Sequence, residues 1–241
     1  MDIVILAGGR GTRLFEKTNI MPKALVPIGK KPILWHIMKI YSHFGHKNFI
    51  ILIGYKGNEI QKYLKANLCA KQGWNVKIVN TGKDTLTQRR LWLARKYIKS
   101  DRFMLTYCDG VGNININKLI SYHDYLNKKF NIMATITVTN PVSKYGIVKT
   151  KGKKIVSFKE KPILNDLVNI GFMVFETKTL KRITAKNVML EMSDKSILAQ
   201  LTKRGELGYY KHKGFWESMD TYKDYVTLNK LWDKGKPWKI W

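Results

Sequence analysis

Near its start the chain sets a short apolar run, Ile3-Val4-Ile5-Leu6-Ala7, directly before Gly8-Gly9-Arg10-Gly11-Thr12-Arg13-Leu14. Met21-Pro22-Lys23-Ala24-Leu25-Val26-Pro27-Ile28 follows after a short gap. The run reads as a buried strand of a parallel sheet. Glycines behind it let the backbone approach a ligand closely, with amide N–H groups free to face phosphate oxygens. Arg13 adds a planar, permanent charge and Lys23 a mobile one. Strand, glycine loop and two cations describe a site for a nucleoside triphosphate. The spacing fits neither common phosphate loop: a Walker loop needs Gly-x-x-x-x-Gly-Lys-Ser/Thr, and a dinucleotide fingerprint needs Gly-x-Gly-x-x-Gly. By itself a glycine loop after a strand is as readily a tight turn, and the downstream Pro22-Lys23 weighs against that reading.

Two carboxylates stand at similar positions further on. Asp109 follows the apolar strand Phe103–Tyr107, at the carboxyl edge where open α/β sheets bind ligands. Asp220 follows the strand-like Phe215–Met219 and precedes a helix. Each is, on its own, also a turn or helix-cap residue. His36, His43, His46, His123 and His212 show no metal spacing, and His36, mid-helix, reads as a packing residue. Cys69 and Cys108 form no metal or redox motif, so no disulfide is expected and a reducing cytoplasm is the default.

The stretch Leu6-Ala-Gly-Gly-x-Gly-Thr-Arg-Leu14 followed by Pro22-Lys23 resembles the signature of the sugar nucleotidyltransferases. Lys31-Pro-Ile-Leu-Trp-His-Ile-Met-Lys39, Gly54-Tyr-Lys-Gly57, Thr106-Tyr-Cys-Asp-Gly-Val111, Phe158-Lys-Glu-Lys-Pro162, Gly214-Phe-Trp-Glu-Ser-Met-Asp-Thr221 and Pro237-Trp-Lys239 are similar to blocks of the glucose-1-phosphate cytidylyltransferases, in the same order. The resemblance implies transfer of a cytidylyl group from CTP to a sugar phosphate, giving a CDP-sugar for surface polysaccharide. It implies Arg13 and Lys23 as catalytic residues, with Leu6, Ala7, Gly8, Gly9, Gly11 and Thr12 cradling the nucleotide. Thr85, Arg90 and the Cys108 backbone match further nucleotide positions. Asp109 and Asp220 match a pair holding one Mg²⁺. Glu160, Lys161, Asn169 and Gly171 match acceptor-binding positions. A homo-oligomer is also expected.

Departures concentrate on the acceptor side. Cys108 stands where the family has Gly, and a side chain there is expected to crowd the nucleotide or acceptor. Asn113 replaces an acidic residue, Gln88-Arg89-Arg90 replaces Gly-Gly-Arg, and Asn169-Ile170-Gly171 replaces Asn-Gly-Gly. Lys144-Tyr145-Gly146-Ile147-Val148 stands for Arg-Phe-Gly-Ala-Leu, and the segment between Leu64 and Trp74 is short. The same reaction on a different acceptor follows as an alternative: an acyclic polyol phosphate, such as glycerol or glucitol phosphate, used for capsule. A nucleotide-binding subunit without turnover is a more remote one.

These residues need a scaffold, and the chain supplies one. Its 241 residues are 44% apolar, enough for the core of one domain. Helical and strand patterns alternate: helix 32–44, strand 48–55, helix 58–65, strand 74–80, helix 87–99, strand 103–107, helix 116–127 and strand 132–138. A hairpin over 146–161 turning at Lys151-Gly152, a strand 168–175, and helices near 178–184, 194–204 and 221–234 complete it. The expected fold is α/β: a single three-layer Rossmann-like (GT-A-like) nucleotidyltransferase domain over 1–241, with a mostly parallel mixed sheet and a small β-hairpin subregion. No run is long and apolar enough for a membrane span. Lysine and arginine number 44 against 17 acidic residues, a formal +27. The lysines are scattered, which reads as a solvated basic surface drawing anionic substrates, and no nucleic-acid partner is expected.

Overall fold

The computed structural model describes residues 1–66, 71–184 and 196–241. Cys69, and residues 194 and 195 of the helix expected at 194–204, lie outside them. The chain begins with β1 (Asp2–Ala7), the short hairpin β2 (Pro27–Ile28) and β3 (Lys31–Pro32), then β4 (Asn48–Ile53), β5 (Asn75–Asn80), β6 (Arg102–Tyr107), β7 (Gly110–Gly112) and β8 (Ala134–Thr139). The remainder contains the hairpin β9 (Ile147–Lys151) and β10 (Lys154–Lys159), β11 (Val168–Asn169), β12 (Met173–Glu176), β13 (Leu207–Lys211) and β14 (Trp216–Ser218).

The main sheet runs β11-β8-β12-β6-β1-β4-β5, with β13 also paired to β8. Pairs β1–β4, β1–β6, β4–β5 and β13–β8 are parallel, while β12 runs antiparallel to β6 and β8. Alternation explains the unbroken apolar runs. Ile3, Ile5, Phe49, Ile51, Ile53 and Met104 enter one core cluster. Val4, Ile50, Leu52, Phe103 and Leu105 enter the other. A strand covered on both faces needs apolar residues at every position. The helix Ile33–His43 seals the first face with Ile33, Leu34, Ile37, Met38, Ile40 and Tyr41 buried.

The sheet is mostly parallel and mixed, as expected, but several elements differ. The strand expected over 168–175 is two strands, because the backbone turns at Gly171 and Phe172 with φ of 79° and 52°. The helix expected over 87–99 ends as Thr87–Ala94 and continues as the 3₁₀ turn Arg95–Tyr97. The helix near 178–184 is the 3₁₀ segment Thr177–Arg182. β13 went unforeseen: its Leu-Gly-Tyr-Tyr-Lys lacks alternation, and at Gly208 an added Cβ would lie 2.8 Å from Leu126 Cδ1.

Candidate active site

The parallel topology places the ends of β1 and β6 side by side, since Leu6 pairs with Tyr107. The glycine loop leaves β1 and Asp109 follows β6, so both arrive at one edge. Asp220 is brought there by a local clamp. β7 pairs antiparallel with β14, Ser218 facing Gly110, and Met219 N donates to Asp109 O at 2.8 Å. Asp220 then precedes the helix Tyr222–Lys234, whose N-terminus is closed by a reciprocal cap: Thr221 accepts from Asp224 N, and Asp224 accepts from Thr221 N at 2.8 Å. Asp224 also accepts from Asp220 N, fixing that backbone.

Lys23 joins the two carboxylates. Its Nζ donates to Asp109 Oδ2 at 3.0 Å and to Asp220 Oδ1 at 2.8 Å. Arg13 Nη2 lies 3.1 Å from the same Asp220 oxygen, with its side chain 74% exposed. Burial alone would lower the Lys23 pKa, but the charges and hydrogen bonds of Asp109 and Asp220 outweigh it and hold the ammonium above its ordinary value. Burial likewise pushes Asp220 upward, and Lys23 foremost, then Arg13 and Lys144, bring it below the usual carboxylate range. Each shift favours the charged form, so the Lys23 ammonium and the Asp220 carboxylate face each other as an ion pair at neutral pH.

The cavity beside this cluster is about 510 Å³. Leu6, Ala7, Gly8, Gly9, Gly11 and Thr12 line it, together with Arg13, Lys23, Thr85, Arg90, Cys108, Asp109 and Asp220. All expected nucleotide, catalytic and metal positions thus share one cavity. One has an unexpected part in it. The Arg90 guanidinium is buried and donates to the carbonyls of Gly8 at 2.9 Å and Gly82 at 2.8 Å, so it supports the glycine loop from beneath. A Cβ at Gly8 would meet the Arg90 guanidinium, so a side chain there would displace the group that holds the loop. Cys108 lines the cavity while packing into the core cluster that also holds Met104, and burial, with Asp109 beside it, pushes its pKa up to about 12.

A second, adjoining cavity of about 860 Å³ shares Leu6, Arg13, Thr87, Tyr107, Asp109 and Asp220 with the first. Asn169 and Ile170 line it, with Gln88, Trp216, Ser218 and the N-terminus of the helix Ile197–Lys203. Gln88 Oε1 accepts from Ile197 N at 2.7 Å, tying that helix to the wall. Sequence reading missed these last contributors, and a contact across 109 residues leaves no local signal. Gly171 donates its N–H to Asn169 Oδ1 at 3.1 Å and shapes the wall without lining it. Glu160 and Lys161 line neither cavity. They pair with each other at 3.2 Å just after β10, both side chains more than half exposed. Along the wall of the first cavity Arg10 pairs with Asp84 at 2.6 Å, both side chains more than half exposed.

Among the described residues no group of three or more His, Cys, Asp or Glu could hold a metal ion, so any ion here would rest on the Asp109–Asp220 pair plus substrate. No helix of the described residues is long and apolar enough to cross a membrane.

Comparison with known proteins bears on this arrangement. The sequence profile of the family described as nucleotidyl transferase matches residues 3–234. The chain is 40% identical to a probable glucose-1-phosphate cytidylyltransferase of Bacillus subtilis, aligned over 261 positions and covering all of both chains. It is also 40% identical to the glucose-1-phosphate cytidylyltransferase of Salmonella typhimurium over 263 positions, again with full coverage of both. Both alignments exceed 241 positions, so this chain carries deletions relative to each. Among solved structures, a sucrose-bound protein of Bacillus anthracis superposes with a TM-score of 0.75 at 22% identity, covering 96% of this chain and 94% of the other, which shows a shared fold.

Proposed function

This chain belongs to the nucleotidyl transferase family, and from that premise we propose that it transfers a cytidylyl group from CTP to a phosphorylated sugar of the glucose 1-phosphate type, releasing pyrophosphate and a CDP-sugar. The observation that carries this reading is the meeting of Arg13, Lys23, Asp109 and Asp220 at one point of a glycine-walled cavity. Full-length identity to cytidylyltransferases supports the choice of base and acceptor.

In the proposed step an oxygen of the acceptor phosphate attacks the α-phosphorus of CTP. That P–O bond forms as the bond to the β-phosphate oxygen breaks, and the electron pair leaves on pyrophosphate. Two anions must be aligned and the growing charge neutralised, so catalysis is mainly positioning and electrostatics. Backbone N–H groups of Gly8 to Thr12 cradle the triphosphate. Arg13, exposed and tethered only at its tip, reaches the β- and γ-phosphates and stabilises the leaving group. Lys23, held between two carboxylates, faces the α-phosphoryl group. No general base is required, because a phosphate monoester with a second pKa of about 6 is largely ionised at neutral pH.

Asp109 and Asp220 offer hard oxygen donors aimed at one cation, Lys23 Nζ, a donor set that suits Mg²⁺ completed by phosphates and water. Bound there, Mg²⁺ supplies further neutralisation of phosphate charge. Asn169 and the second cavity receive the sugar, with Glu160, Lys161 and Gly171 as further acceptor contacts. The product feeds surface-polysaccharide or capsule synthesis from the cytoplasm, and the enzyme works as a homo-oligomer.

The test is pyrophosphate release with Mg²⁺ and CTP against glucose 1-phosphate, glycerol phosphates, alditol phosphates and phosphocholine, with UTP and dTTP as controls. Release with CTP and glucose 1-phosphate is expected. Release only with an alditol phosphate would keep cytidylyl transfer and reassign the acceptor, with Ile170 as the residue that narrows the pocket. Release only with UTP or dTTP would overturn the base assignment.

A further inference from the structure

The hairpin β9–β10 is exposed at every residue from Ile147 to Lys159 except Ser157. Its register sorts the side chains. Ile155 pairs with Thr150 and Phe158 with Val148, while Lys154 pairs with Lys151, Ser157 with Lys149 and Lys159 with Ile147. Paired residues share a face of a ribbon, and successive pairs alternate between faces. The register shifts between Ile155 and Ser157, so Val156 is the extra residue of a bulge. That bulge puts Phe158 on the same face as Ile155, although three residues separate them. One face is then Val148, Thr150, Ile155 and Phe158. The other carries Lys149, Lys151, Lys154 and Lys159 beside Ile147 and Ser157, and Lys153 sits in the turn with Gly152. Val148 is 47% exposed, and Ile155 and Phe158 are each 64% exposed. The ribbon continues at its base in the bridge between Val142 and Ile163, both also exposed.

The stretch 147–159 holds five lysines and no acidic residue. None of these lysines forms a salt bridge among the described residues. A contiguous apolar face left in water beside unpaired cations marks a surface that meets a partner. We propose that this ribbon docks the protein on an anionic lipid surface, its apolar face entering the headgroup boundary and its lysines meeting lipid phosphates. Amphipathic elements rich in lysine bind membranes in this way, by apolar burial and by attraction to anionic lipids together. Charge decides against other occupants. A second copy of a chain with a formal +27 brings like charge to like. A nucleic acid would serve the lysines and leave Val148, Ile155 and Phe158 in water. The outgoing strand runs directly into Glu160 and Lys161, so docking brings that end of the molecule to the bilayer.

The experiment is flotation of the whole protein with vesicles of phosphatidylcholine alone, and of phosphatidylcholine mixed with phosphatidylglycerol, at about 0.1 M salt. Binding to the anionic vesicles and not to the neutral ones is expected. K149Q/K151Q/K154Q should weaken it about fivefold for each lysine lost. I155S/V156S, which keeps every charge, should weaken it about tenfold or more. K149R/K151R/K154R should bind as the natural protein does, which separates lost charge from a damaged ribbon. K118Q/K128Q/K129Q removes as many charges from the exposed side of the helix Ile116–Phe130 and should cost far less. Equal losses from ribbon and helix would assign the binding to net charge and overturn the proposal. Undiminished binding by I155S/V156S, or no binding to anionic vesicles at all, overturns it too. So does a natural oligomer that I155S/V156S dissociates in sedimentation velocity, since the apolar face would then belong to a second copy.

Discussion

The Lys23 ammonium has two duties that a substitution separates. It neutralises phosphate charge during reaction, and in the free protein it keeps Asp109 and Asp220, at 3.0 and 2.8 Å, from facing each other unpaired. Lys23→Ala is therefore expected to lower kcat by about 10² to 10³, the usual cost of losing one group that stabilises developing charge. It should also lower the melting temperature without metal, because two carboxylates then share a half-buried site with only the exposed Arg13 beside Asp220. Mg²⁺ should restore more of that loss than it adds to the natural protein, as thermal melts with and without the ion will show. Unchanged turnover, or equal Mg²⁺ responses, would remove Lys23 from the proposed role. Part of this was legible from residue types: Gly8 to Arg13 and Lys23 are close in sequence and carry their chemistry openly. The support from Arg90 was not, because its partners are backbone carbonyls of Gly8 and Gly82, and any sequence offers carbonyls.

Alternation made β1, β4 and β6 readable, because both faces of each strand enter a core and every position is constrained. Where one glycine redirects the chain, as at Gly171 between β11 and β12, the apolar run continues while the strand does not. Two elements yield predictions of their own. The helix Ile33–His43 buries His36 completely, its Nε2 3.0 Å from Ile28 O and its ring among Trp35, Trp232 and Trp238. Burial lowers its pKa from 6.5 to about 4. The folded state thus stays neutral while the unfolded state takes up a proton, so stability is full above pH 6.5 and falls as pH drops toward 4. A shift of that size corresponds to about 3 kcal/mol. His36→Gln should flatten this part of the pH–stability curve relative to the natural protein, and parallel curves would refute the assignment. The hairpin β9–β10 is different: Ile155 and Phe158 are each 64% exposed, and a lone two-stranded ribbon contributes little stability. Replacing 147–159 by a short turn should leave the melting temperature nearly unchanged yet raise the acceptor KM about tenfold or more, since Glu160 and Lys161 lose their placement. An unaltered KM would detach these two residues from the acceptor site.

Across the whole molecule the formal charge of +27 is the property no single site explains. The catalytic cluster itself balances two cations against two carboxylates, so the excess lies outside it, spread over an exposed lysine-rich surface. Both proposed substrates are polyanions, and a positive surface raises their encounter rate in a salt-dependent way. Screening reaches about 10 Å at 0.1 M salt and about 3 Å at 1 M, so the distant charges are silenced first while Arg13 and Lys23, in contact with substrate, are not. Raising ionic strength across that range should therefore lower kcat/KM for CTP by about tenfold and leave kcat at saturation nearly constant. Neutralising a few lysines far from the cavities, such as Lys128 and Lys129 at the end of the helix Ile116–Phe130, should reduce the slope without touching kcat. A kcat that falls in step with kcat/KM would place the salt effect inside the active site and leave the basic surface without a part in capture. A kcat/KM indifferent to salt would mean that encounter is not limiting, and that the surface charge answers to something other than these substrates.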